Sequence, residues 1–388
     1  MQRLLTVLLM FVAANFTVQG KEIAYYNKSW NQINEKAKTE NKYIFVDCYT
    51  DWCYYCKVMD KGTMKDPKIV DALNKNFVSV KLNMEEGEGM KLCKKYHVQV
   101  FPTFLIFNPK GELVYKTIGS QSVDDFASTL NDARDKTKQF KSPGYSRTLD
   151  TKYPEFYDKL YAGNGKRTIP KEEEVNEFLA QQSDLSNEVS WAVIASCGSI
   201  DKKYVDVVFQ KIEYYRSKYG APNVDNFVQK VSEKQLKEAI KHKSVAEMEL
   251  AAMTFLNNNS QKDEFLPFQY RITYFKSIED WGNMIQPLST YIAKKGFSEG
   301  AYINSICWDM NEKKAESKYL VIAAQWMSKV CELDPQYAYM DTYAAVLYGA
   351  GDVGNALKTA EKAIELGKNE GADTKSTEEL LTIIKEKK

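Results

Sequence analysis

Between Tyr43 and Lys136 strand-type and helix-type segments alternate, and after residue 146 strand signals almost vanish. That change of pattern limits the fold more than any other feature of the chain. Tyr43-Ile44-Phe45-Val46-Asp47 is β-branched and aromatic, the signature of a buried strand, and Phe77-Val78-Ser79-Val80-Lys81-Leu82 reads as a second one. Thr103-Phe104-Leu105-Ile106-Phe107 is a third, and Asn108-Pro109-Lys110-Gly111 turns it into a hairpin with Glu112–Thr117. Helical patterns run from Ser29 to about Glu40, from Pro67 (capped by Asp66) to Leu73, from Gly87 to Tyr96 and from Val123 to Lys136. Such alternation predicts a mixed sheet with helices on both faces. Pro143-Gly144, in the polar stretch Phe140–Ser146, reads as a domain boundary. Beyond it Glu172–Gln181, Lys203–Tyr219 and Val224–His242 carry apolar residues at helical spacing.

Cys53 and Cys56 stand where the first strand gives way to a helix-compatible stretch, Lys57–Lys61. Two cysteines at this spacing serve either zinc or a reversible disulfide. The other half of a zinc site is missing, because there is no second CxxC and the two histidines, His97 and His242, are isolated. The redox reading is therefore taken over the metal one, with no metal and no cofactor called for. A helix N-terminus favours the Cys53 thiolate, and Cys56 lies one turn on. Asp47 ends an otherwise apolar strand. It is read as a buried acid able to accept the Cys56 proton, the alternative being an ordinary turn residue. Trp52 is either core or a shield for the dithiol, and Lys57 either a solvated charge or an electrostatic aid. Of the seven cysteines, Cys48, Cys93, Cys197, Cys307 and Cys331 are left over, widely spaced and odd in number, and each reads as a small buried hydrophobe. An exposed, regulatory Cys93 is the alternative at that position, and His97 is given no role.

Taken in order, these positions resemble the thioredoxin family over about residues 40–137. The similarity is greatest to exported thioredoxin-like domains with an Asp-Trp-Cys-x-x-Cys-Lys signature, among them the C-terminal domain of transmembrane disulfide reductases. The resemblance implies that Cys53 attacks, that Cys56 resolves, that Asp47 is the buried acid, and that Phe101-Pro102-Thr103 is a cis-proline loop. Trp52, Phe101, Pro102 and Thr103 would then face the client, although Pro102 on its own reads equally as a strand-start proline. Tyr54 and Tyr55, between the cysteines, carry no cation to stabilise the thiolate. This favours a reductant or isomerase over a primary oxidant.

The C-terminal end resembles the tetratricopeptide repeat. Ala356, Ala360 and Ala363 follow Tyr343, Ala344, Leu347 and the turn Gly351-Asp352, and the preceding unit ends in Leu333-Asp334-Pro335. The expected organisation is a signal peptide over 1–20, an α/β thioredoxin fold over 21–140, a helical region of degenerate repeats over 141–296 and an all-α tetratricopeptide-like domain over 297–388. The leader rests on Arg3, the apolar run Leu4–Ala14 and Val18-Gln19-Gly20 before Lys21. It predicts export to the periplasm or beyond and a soluble mature protein, with an uncleaved N-terminal anchor as the alternative.

Charge is balanced, 53 basic against 52 acidic residues, which excludes a nucleic-acid-binding stripe. The chain reads as a protein-disulfide reductase or isomerase acting on disulfide- or thiol-containing clients. A membrane thiol donor would recharge it, and the helical repeats would bind a protein partner. The competing reading is a non-enzymatic scaffold whose thioredoxin-like domain only binds clients.

Overall fold

A computed structural model describes residues 22–163, 166–262 and 264–387; the leader expected over 1–20 lies outside them. The first helix, α1 (Trp30–Glu40), is opened by a reciprocal cap. Ser29 Oγ accepts from Gln32 N, and the Gln32 side chain accepts from Ser29 N. Ser29→Ala should lower stability by about 1 kcal/mol in urea unfolding of the intact chain; an unchanged midpoint would mean that this cap does not hold the helix.

The chain then runs β1 (Tyr43–Tyr49), α2 (Tyr54–Lys61), α3 (Pro67–Asn76), β2 (Phe77–Asn83), α4 (Gly87–Lys95), β3 (Thr103–Phe107), β4 (Leu113–Ile118) and α5 (Val123–Asp132). The sheet order is β2-β1-β3-β4. β1 and β2 are parallel, which requires the crossover that α2 and α3 supply, whereas β3 and β4 are antiparallel to their neighbours. This mixed sheet is the expected one. As expected, Asp66 caps α3 by accepting from Lys68 N at 2.8 Å, with Pro67 in the first turn. Gly111 holds the β3–β4 turn at φ +76°, its N–H bonded to Asn108 O.

Side chains alternate across β1, and this fixes where the chemistry can lie. Phe45 faces the core that Met59 of α2, Leu73 of α3 and Phe126 of α5 share, and its ring stacks on Phe104 with centroids 5.7 Å apart. Asp47, two residues on, points to the same face as Phe45, beneath α2. The opposite face packs Trp30 and Tyr96 against Phe107.

Helix α5 stops short of the expected Lys136. Asp135 accepts from the backbone and hydroxyl of Thr137, and Gln139 Nε2 donates to Ala133 O, so side chains take over the last backbone groups of the helix. No strand follows Ile118 among the described residues.

Two compact units divide the chain at Val224/Asp225. The segment 140–146, where the sequence reading placed a boundary, lies inside the first of these units. Phe140 N donates to Val114 O on edge strand β4, Ser142 Oγ donates to Leu113 O, and Tyr145 packs edge-on against Tyr96. The helices α6 (Glu155–Leu160), α7 (Glu172–Ala180), α8 (Glu188–Ser196), α9 (Lys202–Gln210) and α10 (Ile212–Tyr219) complete this unit. Lys203–Tyr219 is thus two helices, broken at Lys211. Glu188 of α8 pairs with Lys95, which is fully buried and also donates to Ser146 Oγ at 2.8 Å. Such a buried charge is tolerated because it is both paired and hydrogen-bonded.

After α11 (Ala221–His242) come α12 (Val245–Asn258), α13 (Phe265–Ser277), α14 (Trp281–Lys295), α15 (Gly300–Glu312), α16 (Ser317–Leu333), α17 (Tyr337–Ala350), α18 (Val353–Glu370) and α19 (Lys375–Glu386). From α15 onward each helix packs on the next. Ala344, Ala356, Ala360 and Ala363 are fully buried, and their small size lets α17 and α18 approach closely. Gly351 makes the turn between these two helices at φ +90°.

Candidate active site

Cys53 is the N-cap residue of α2, and its Sγ accepts from Cys56 N–H at 3.0 Å. The two cysteines form a disulfide with their Cα atoms 5.3 Å apart. That N–H, together with the helix dipole, favours negative charge on Cys53 Sγ whenever the bond is opened. Both cysteines are 4% exposed, yet Trp52, Tyr54 and Tyr55 around them are 61%, 70% and 60% exposed. Large aromatic side chains are thus left in water around a recessed disulfide.

Trp52 is therefore not core. Its Nε1 donates to Glu85 Oε1 at 3.1 Å, and its ring meets Phe101 edge-on at 5.8 Å. The Tyr54 and Tyr55 rings also pack edge-on, at 5.4 Å. The Phe101–Pro102 peptide is cis. Phe101 is half-buried and Pro102 buried, while Val100, to which the sequence assigned nothing, is exposed. Thr103 is fully buried and its hydroxyl donates to Val100 O at 2.6 Å, which closes the loop.

Asp47 is 3% exposed. Burial pushes its carboxyl up to about 6; nearby Lys81 pulls against this and Asp60 adds to it. Lys81 Nζ lies 3.3 Å from Asp47 Oδ2 and is also bonded to Asp60 of α2. The sequence did contain a signal for this lysine, a charge inside an apolar strand. Its meaning depends on the parallel register, which pairs Lys81 with Asp47. Asp60 lies four residues after Cys56, one turn further along α2.

The remaining cysteines belong to the packing. Cys48 is fully buried, and burial pushes its thiol well up. Cys93 is buried, donates to Val98 O at 2.9 Å and is pushed up to about 12, so the regulatory alternative does not hold. Cys331 is likewise pushed up to about 12 by burial. Lys57 lies exposed on α2, and His97 is buried in the α4–β3 connection with φ +53°.

Residues 30–134 match the thioredoxin-like domain family. The thiol:disulfide interchange protein DsbD of Campylobacter jejuni is 30% identical over 106 residues, 27% of this chain and 18% of that protein. Protein disulfide-isomerase 1 of Dictyostelium discoideum is 25% identical over 165 residues, 42% of this chain and 43% of that one. Among solved structures, a candidate disulphide-isomerase from Bacteroides thetaiotaomicron is 36% identical, covering 30% of this chain and 98% of its own, with a TM-score of 0.29. The chain spans less than half the length of these two curated relatives. The fold and site define a thioredoxin-like domain that carries a CxxC disulfide. In this chain a largely helical region follows that domain, which is similar to the thioredoxin-like domains of DsbD proteins.

Proposed function

We propose that this chain is an exported thiol–disulfide oxidoreductase acting on protein clients as a reductant or isomerase. The observation that carries the reading is the Cys53–Cys56 disulfide at the start of α2, recessed among exposed aromatic side chains, together with the buried Asp47 carboxyl with a raised pKa on the strand that precedes it. In the reduced enzyme the Cys53 thiolate attacks one sulfur of a client disulfide. The client S–S bond breaks, a mixed disulfide forms and one client thiolate leaves. Cys56 then gives its proton to the Asp47 carboxylate, directly or through water, and its thiolate attacks Cys53 Sγ. The mixed disulfide breaks, the second client thiolate leaves, and the client has gained the two electrons the enzyme has lost. A thiol donor, held by a membrane protein in this reading, returns the Cys53–Cys56 bond to a dithiol.

Trp52, Phe101 and Pro102 line the client side. The names of the relatives, interchange protein and disulfide-isomerase, support this class of chemistry. The helices from α15 onward are read as tetratricopeptide-like and as the partner-binding part, on the strength of the alanine spacing in α18 and the turn at Gly351. Insulin reduction with dithiothreitol as electron donor tests the reading. Wild type should accelerate it while the Cys53→Ser/Cys56→Ser protein stays at background; equal rates would leave the scaffold reading.

A further inference from the structure

Residues outside the thioredoxin-like domain reach the back of its aromatic rim. Tyr161, Gly163 and Arg167 lie beyond the matched span 30–134. Arg167 Nη2 is 4.0 Å from the same Glu85 Oε1 that accepts the Trp52 indole N–H. Gly163 packs against Glu85 so closely that a Cβ there would stand 2.7 Å from Glu85 Cβ and 2.9 Å from Glu85 O. Glu85 is held nearly out of solvent, its side chain 8% exposed. On the other flank Tyr161, fully enclosed, donates to Ser196 of α8 and accepts from Gln99 Nε2 at 3.3 Å, two residues before Phe101. Trp52 and Phe101 thus touch each other in front and are braced from behind, one through Glu85 and the other through the loop that starts at Gln99.

We propose that Tyr161, Gly163 and Arg167 are positioning residues through which the helical extension sets the Trp52–Phe101 rim for polypeptide disulfides. A client chain must lie across the rim to bring its disulfide to Cys53, and it gains from a rim already ordered. A small disulfide reaches the sulfur without that contact. Loosening the brace moves the cost of ordering into client binding, so it acts on KM and leaves the chemical step alone. The kinetic half of this inference rests on the exchange reaction proposed above; the positioning half does not.

The test compares the intact chain with Tyr161→Phe/Arg167→Ala, and with Gly163→Ala as an independent second variant. Insulin and bis(2-hydroxyethyl) disulfide serve as substrates. The KM for insulin should rise roughly fivefold, equivalent to ~1 kcal/mol for re-ordering one loosened side chain, at unchanged kcat. The rate on the small disulfide should stay within about twofold. Arg167→Lys, which keeps the charge facing Glu85, should restore most of the insulin KM. Trp52 emission, isolated as the difference from Trp52→Phe, should become more accessible to acrylamide in the loosened variants, and this reading needs no turnover. An unchanged insulin KM, or an equal loss on both substrates, overturns the inference. A chain that is inactive throughout but has a more quenchable Trp52 would sink the exchange reading and keep the positioning one; unchanged quenching removes the positioning one.

Discussion

The Cys53→Ser protein will fall to the background rate of disulfide exchange, and Cys56→Ser will accumulate covalent adducts with its clients. The two outcomes differ because the sulfurs sit differently on α2. Cys53 opens the helix, where the Cys56 N–H points at its sulfur, and in the proposed reaction it is the sulfur at which a mixed disulfide forms. Without Cys56 that bond has no neighbouring thiol to break it. No other cysteine of the chain can take over. Cys48, Cys93, Cys197 and Cys307 are buried, and burial pushes the Cys331 thiol up to about 12. Non-reducing gels of cells expressing Cys56→Ser provide the measurement. Adducts that vanish on adding Cys53→Ser are expected, and their absence would remove the client-directed role.

Asp47→Asn will make the protein more stable at pH 8 and slower to resolve mixed disulfides. A carboxyl whose folded pKa stands above its unfolded one holds its proton more tightly in the folded chain. The stability this contributes is complete below the unfolded value of about 3.9 and is lost as pH rises through the folded value of about 6. Above that, burying the carboxylate costs up to ~3 kcal/mol, and an uncharged amide avoids the cost. Lys81 keeps Asp60 as a partner in the variant, so it is not left alone. Urea unfolding at pH 4 and pH 8 should give a gain for Asp47→Asn at the higher pH that fades at the lower. Stopped-flow traces should give an unchanged first attack and a slowed second step. Equal slowing of both steps would take Asp47 out of the mechanism, and a gain of equal size at both pH values would contradict the raised pKa.

Much of the domain could be read directly because its signals are local. The β-branched strands, the Asp66-Pro67 cap and the Asn108–Gly111 turn each act within a few residues, and all appear where their chemistry requires. What was not legible depends on contacts distant in sequence. Phe140–Ser146 carries Pro and Gly like a linker, but Phe140 N and Ser142 Oγ find backbone partners on β4. Lys203–Tyr219 has one continuous helical pattern that does not reveal the break at Lys211. In the site, Cys53, Cys56 and Asp47 stood out by residue type. Lys81 and Asp60 became legible only through the β1–β2 register, and Glu85 through the indole it receives. Thr103 reads as client-facing, and its hydroxyl is bonded to Val100 O. The brace from Tyr161, Gly163 and Arg167 lies outside any motif, since nothing local ties residue 167 to residue 85.

The central claim is that Cys53 and Cys56 form a reversible two-electron couple poised for reduction or isomerisation. It is tested most directly by equilibrating the intact chain in glutathione buffers of graded potential and trapping free thiols. Tyr54 and Tyr55 supply no cation to stabilise the reduced form, so one dithiol should titrate between about −270 and −180 mV, the range from thioredoxin to protein disulfide isomerase. That transition should vanish in Cys53→Ser. A midpoint near −120 mV, the value of a strong oxidant, or a Cys53–Cys56 bond that never opens across the series, would contradict the claim.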